Sequence, residues 1–270
     1  MKTRFDTLEN KNYLFFALAG VVVVFLVGNI AHQEEFPISE NTYMTDVLFM
    51  IIPVIVIAFG IILVFRYRLR GNHGISWILF TLAITSWYVG DMTYNYDYKY
   101  DLEDLSTLTS DFFYIIGYPL FFGFTICYLR PRKRIISKKM ILASSLVSVL
   151  VVIPTLYFTA DTEYQLDEMT IFLYAIYPIL DGVILIPSII ATVLFFRGQV
   201  NLLWSLILIA TICFIIADTS YLVLSVEETY YPGHPVDILF VWAYILYAFG
   251  ALSHIKLYRK RKLESDENFD

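Results

Sequence analysis

Val47-Leu48-Phe49-Met50-Ile51-Ile52-Pro53-Val54-Ile55-Val56-Ile57-Ala58-Phe59-Gly60-Ile61-Ile62-Leu63-Val64-Phe65 runs for nineteen residues without a charge and closes on Arg66. A buried strand is about 4–8 residues long, and a helix on a soluble surface alternates apolar and polar faces. A run this long and uniform matches the roughly 20 apolar residues that cross the hydrocarbon core of a bilayer. It predicts a transmembrane helix over approximately residues 45–65.

The same reading extends in both directions. Seven more segments qualify, approximately 13–31, 75–95, 111–129, 140–159, 169–196, 200–224 and 236–256. Composition agrees: of 270 residues, 58% are hydrophobic and 16% charged, against about 45–50% and about 25% in a soluble domain. A soluble enzyme, a nucleic-acid binder and a disordered chain are set aside on that ground. Cys127 and Cys213 make neither a disulfide framework nor a zinc spacing. His32, His73, His234 and His254 form no HxxxH pair, so no metal and no cofactor is expected. The first segment follows Lys2, Arg4 and Lys11 as a signal peptide would. Its apolar run is longer than an h-region and no small-x-small site follows, so it is read as an uncleaved span.

Charge orients the bundle. Of the 19 Lys and Arg, all but Lys99 fall on alternate connections, with clusters at Arg66–Arg70, Arg130–Lys139, Arg197 and Lys256–Lys262. Positive residues stay cytoplasmic. Both termini are therefore expected inside a multi-pass protein of the cell membrane, and the basic loops are its cytoplasmic rim, with no nucleic-acid partner.

An internal repeat follows from the spacing. Gly90-Asp91-Met92-Thr93-Tyr94 in the third span echoes Ala217-Asp218-Thr219-Ser220-Tyr221 in the seventh, at an offset of 127. Asp111 with Tyr118 echoes Asp237 with Tyr244, at an offset of 126. The fold expected is all-α, with eight transmembrane helices in two parallel four-helix halves, about 13–129 and 140–257. Such halves are related by a pseudo-twofold axis along the membrane normal, and sites lie between them. The chain is then one membrane domain, 1–257, and a short charged cytoplasmic tail, 258–270, read as disordered.

Carboxylates inside the spans point to function, because a charge there is costly. Counting from the cytoplasmic edges at 1.5 Å per residue puts Asp91, Asp181 and Asp218 about 24–26 Å up a roughly 30 Å core. Asp91 and Asp218 come near the outer ends of their helices, facing the negative end of the macrodipole. Asp46, Asp111 and Asp237 instead begin helices, where a carboxylate caps free N–H groups. No Lys or Arg in the outer half of a span can neutralise these acids. Three answers remain: protonation, hydrogen bonds from neutral donors, or a bound cation or amine. Tyrosine supplies the donors. Tyr94 and Tyr221 follow Asp91 and Asp218 by three, and Tyr114 and Tyr118 follow Asp111 by three and seven. Tyr174 and Tyr177 precede Asp181 by seven and four, and Trp87 precedes Asp91 by four. Each set shares a helical face. The pattern predicts an outward-opening pocket lined by these Asp/Tyr faces, with Asp237 and Tyr244 among them. The competing reading is a polar network that fixes packing, with tyrosines in the interfacial belt.

In order, Trp87-Tyr88-Val89-Gly90-Asp91, Ser110 to Pro119, Tyr177-Pro178-Ile179-Leu180-Asp181 and Ala217 to Tyr221 form a series. Over roughly residues 75–255 it resembles the multi-span membrane region found ahead of GGDEF/EAL signalling domains in bacterial proteins, here as a stand-alone chain. The resemblance implies a sensory or ligand-binding module. A weaker likeness is to the eight-span lysoplasmalogenase-type membrane hydrolases, and no catalytic residue is carried over from it. The function expected is binding or sensing of a small ligand or cation at the outer face, with a cytoplasmic signalling partner at the basic loop Arg130–Lys139. The alternatives are an intramembrane lipid-processing enzyme using paired carboxylates as acid and base, and a small-molecule transporter.

Overall fold

Each long apolar run forms a single helix in the computed structural model. The structure describes residues 12, 14–25, 44–68, 71–100, 103–160, 168–196, 200–227, 229–231 and 234–267, and their side chains apart from those of 44–46, 97–100, 103–108, 159–160 and 258–267. The helices are α1 (Leu14–Phe25), α2 (Met44–Tyr67), α3 (Gly71–Tyr100), α4 (Glu103–Leu129), α5 (Lys138–Ala160), α6 (Glu168–Phe195), α7 (Asn201–Val226) and α8 (Asp237–Glu267). Among the described residues there is no strand. Helices α2 to α8 are long and apolar enough to cross a membrane, and α1 is a shorter apolar helix. The rest of the expected first span, residues 26–31, lies outside the described residues, as do Arg197 and the side chain of Asp46.

Two boundaries differ from expectation. α8 continues through Glu267, so the tail is helical over most of its length rather than disordered. Its Leu, Lys, Arg and Glu residues are good helix formers and extend a helix already nucleated. α4 begins at Glu103, eight residues before Asp111. Asp111 is therefore two turns inside a helix and cannot cap it. Asp237 does open α8.

The helices close into a ring. α2 packs on α3, α3 on α4, α4 on α6, α6 on α7, α7 on α8, and α8 returns to α2. α5 lies against α6 outside the ring, and Val24 of α1 packs against Ile238, Val241 and Ile245 of α8. Exchanging α2, α3 and α4 with α6, α7 and α8 turns every contact of the ring into another contact of the ring. At the end that carries the basic connections the ring is plugged by aromatic side chains. Trp77, Phe80, Phe121, Phe124, Trp204 and Tyr247 are almost wholly buried there, and Phe124 stacks on Trp204 with ring centroids 5.6 Å apart.

The outside is apolar. Phe65 of α2 is 77% exposed, and Leu142 and Tyr157 of α5 are each 71% exposed. Soluble monomers keep contiguous apolar patches to a few hundred Å². A belt of Leu, Ile, Val and Phe around the bundle marks a protein embedded in a membrane.

Candidate functional site

Small residues bring α3 and α4 close enough to set the site's first wall. A Cβ at Gly117 would stand 2.2 Å from Nε1 of Trp87, and one at Gly90 would stand 2.7 Å from Cδ1 of Tyr114. Both contacts are open only to glycine. The interface is then fixed by two hydrogen bonds into the α4 backbone. Ser86 Oγ donates to the Phe113 carbonyl at 2.6 Å, and Trp87 Nε1 to the Tyr114 carbonyl at 3.2 Å. Trp87 and Tyr114 are thereby held beside Asp91.

The carboxyls find their donors on other helices. Asp91 accepts one hydrogen bond on each oxygen, from Tyr114 of α4 and Tyr244 of α8, both at 3.0 Å. Asp218 of α7 and Asp181 of α6 both accept from the Tyr118 hydroxyl at 3.0 Å, which brings the two carboxyls together. Tyr177 of α6 donates to Asp111. Tyr230, in the α7–α8 connection, donates to Asp237 at 3.2 Å. Burial, and then the Asp237 carboxylate, push the Tyr230 phenol well above the usual tyrosine range, so it stays a donor at any physiological pH.

This corrects the expected pairing. Tyr94 and Tyr221 share a helix face with Asp91 and Asp218 and line the same cavity, yet neither is the donor these acids accept from. The donors are instead Tyr114 of α4 and Tyr244 of α8 to Asp91, and Tyr118 of α4 to Asp218. The exchange is reciprocal, and further pairs at the same offsets meet at the centre. Trp87 faces Phe214 with centroids 5.1 Å apart, and Phe121 faces Tyr247 at 5.5 Å.

Above this layer is a cavity of about 310 Å³. Every residue the sequence singled out lines it except Asp181. Asp181 is 2% exposed and reaches the cavity only through Asp218 and Tyr118. Eight tyrosines stand in the wall, and its charged groups are four carboxyls, Asp91, Asp111, Asp218 and Asp237, with no Lys, Arg or His among the described residues. The sequence reading missed Phe49, Phe214, Phe240 and Tyr230, which also line it. Tyr230 stands seven before Asp237, the same Asp–Tyr separation found elsewhere. Phe214 and Phe240 lie at the repeat offset from Trp87 and Tyr114, so the offset itself was the available signal. No cluster of metal-ligating side chains occurs among the described residues.

No family model, no curated protein and no solved structure matches the chain.

The chemistry available follows from the wall. Aromatic faces attract a cation through their quadrupole, and a carboxylate attracts it by charge. The cavity offers both and holds no cationic side chain to compete.

Proposed function

We propose that the cavity binds a small organic cation or amine and that the chain is a sensory or ligand-binding membrane module. The observation that carries this reading is the wall itself, in which the charges are all carboxyls and the rest is mostly tyrosine and other aromatic surface. Pockets for small molecules are largely apolar with a few converging polar groups, and volumes run from about 300 to 1,000 Å³. This one is at the small end, which suits a ligand of amine size. The aromatic plug beneath it, with Trp77, Phe121, Phe124 and Trp204 almost wholly buried, favours binding over passage.

The reading includes an orientation. The cavity opens to the outer face, the termini lie on the cytoplasmic side, and the membrane is the cell membrane. It also includes a duplication into two parallel halves, supported by the exchange symmetry of the ring contacts and by the reciprocal Tyr244–Asp91 and Tyr118–Asp218 bonds. α4 gives the module an output. It carries Asp111, Tyr114 and Tyr118 at one end and runs at the other into the exposed basic turn Arg130–Arg132. A cytoplasmic partner would dock there, as the resemblance to membrane regions ahead of GGDEF/EAL domains implies.

Calorimetric titration of the purified chain in nanodiscs with butylamine and with tetramethylammonium tests the reading. At least one should bind, and Asp91→Asn should weaken it by about tenfold or more, the loss of one desolvated charge contact. If neither cation binds the wild-type chain, the reading is wrong.

A further inference from the structure

The cavity holds its carboxyls at two levels. The lower level is Asp91 and Asp218, reached by Tyr244 and Tyr118. The upper level is Asp111 and Asp237, both in the cavity wall. Asp111 stands seven residues before Tyr118 on α4, and Asp237 seven before Tyr244 on α8. Seven residues of helix rise about 10 Å, and a helical tyrosine leans back toward its N-terminus, here toward the upper acids. The two levels of charge are therefore separated by something under about 10 Å. Tyr114 on α4 and Phe240 on α8, the residues three after each upper acid, stand in the wall with Leu173 and Leu222, beside the polar groups of Asn95, Tyr221 and Ser225.

A single ammonium meets one level only. Its N–H groups reach acceptors about 3 Å away, so the other level is left to its tyrosine donors, to a proton, or to a second cation. Asp91 and Asp111, one at each level, retain acceptor capacity, because a carboxylate offers about four lone-pair sites. Asp91 uses two of them on tyrosine, and Tyr177 takes one from Asp111.

Resting on the cation-site reading above, we infer that the ligand is a linear dication. It is a short-chain diamine standing along the axis of the bundle, one ammonium between Asp91 and Asp218 and the other between Asp111 and Asp237. The alkyl chain lies against Tyr114, Phe240, Leu173 and Leu222. The axial orientation follows from the near-twofold disposition of the walls, which presents equivalent acids on both sides at each level.

The test compares ligands of one length and different charge on the full chain in nanodiscs. Putrescine, butylamine and aminobutyrate are titrated by calorimetry. Putrescine should bind about tenfold or more tighter than butylamine, as expected for one added charge contact shielded from water. Aminobutyrate, which brings a carboxylate to the upper acids, should bind more weakly than butylamine. In Asp111→Asn with Asp237→Asn, the ratio of putrescine to butylamine affinity should fall toward one. The wild-type comparison stands whether or not that variant folds. If putrescine and butylamine bind equally, the dication is wrong and the cation site survives. If aminobutyrate binds as tightly as putrescine, the upper acids do not read charge and the inference is overturned. If none of the three binds, the inference falls together with the cation-site reading.

Discussion

Tyr118 has one hydroxyl hydrogen and two carboxyl neighbours, Asp181 and Asp218, each at 3.0 Å. One hydrogen cannot serve both, so the group is complete only when one carboxyl carries a hydrogen of its own. An amide provides hydrogens without changing shape. Asp181→Asn should therefore keep thermal stability within about 1 kcal/mol of wild type. Tyr118→Phe removes the shared donor and should cost about 1–3 kcal/mol, the usual penalty for stranding a buried polar group. Thermal unfolding of the purified variants reads both, and equal losses would show that the count of hydrogens does not govern this group. A second residue-scale prediction concerns Gly117. Its replacement by Ala sets a methyl against Trp87 and should cost about 1–3 kcal/mol by overpacking. The offset of 126–127 leads from Gly117 and Trp87 to Ala243 and Phe214, a larger small residue with a smaller ring. Gly117→Ala combined with Trp87→Phe should recover much of the loss, whereas additive damage in the double variant would mean the two positions do not share this contact.

At the scale of elements, α5 is attached to the ring rather than part of it. Gly182 of α6 makes the seat. A Cβ there would lie 2.5 Å from Cγ2 of Val152 and 2.7 Å from Oγ of Ser148, and Ser148 Oγ donates to the Gly182 carbonyl at 2.8 Å. α5 contributes no described residue to the cavity wall. Gly182→Val should thus lower thermal stability by about 1–3 kcal/mol while amine affinity stays within a few-fold of wild type. A loss of affinity as large as that of Asp91→Asn would place α5 in the site. The helices themselves were legible, because a run such as Val47 to Phe65 has one interpretation at that length. The partners of the acids were not. Spacing along one helix names neighbours at i+3 and i+4, and so pointed Tyr94 at Asp91. It carries no information on which helix stands opposite. Across the middle of the ring Tyr244 of α8, 153 residues away in sequence, reaches Asp91 of α3 and takes that place. Asp111 was misread as a cap for a related reason, since α4 begins eight residues earlier, at Glu103, in a stretch whose polarity hides its helicity.

For the whole molecule, the offset of 126–127 was visible in two short motifs, and its consequence was larger than the motifs. It brings like to like at the centre, with Trp87 against Phe214 and Phe121 against Tyr247. The charge pattern was equally visible, and it sets the last prediction. Along the sequence eighteen of the 19 Lys and Arg belong to one set of alternate connections, and the cavity's carboxyls come toward the other ends of the helices. Moving the basic connections to the outer face would set them against the positive-inside bias that inserts such proteins. Ser106, in α4 before the cavity acids, and Ser265, near the end of α8, are therefore expected on opposite sides of the membrane. Cys127 and Cys213 are both partly accessible thiols, so the experiment begins with both replaced by Ser. In that background Ser106→Cys should react with an impermeant maleimide on intact cells, and Ser265→Cys only after the membrane is opened. Labelling of both on intact cells, or of neither, would remove the odd number of crossings, α4 to α8, between them. Reversed labelling would turn the cavity toward the cytoplasm, where the ligand would have to be an intracellular amine.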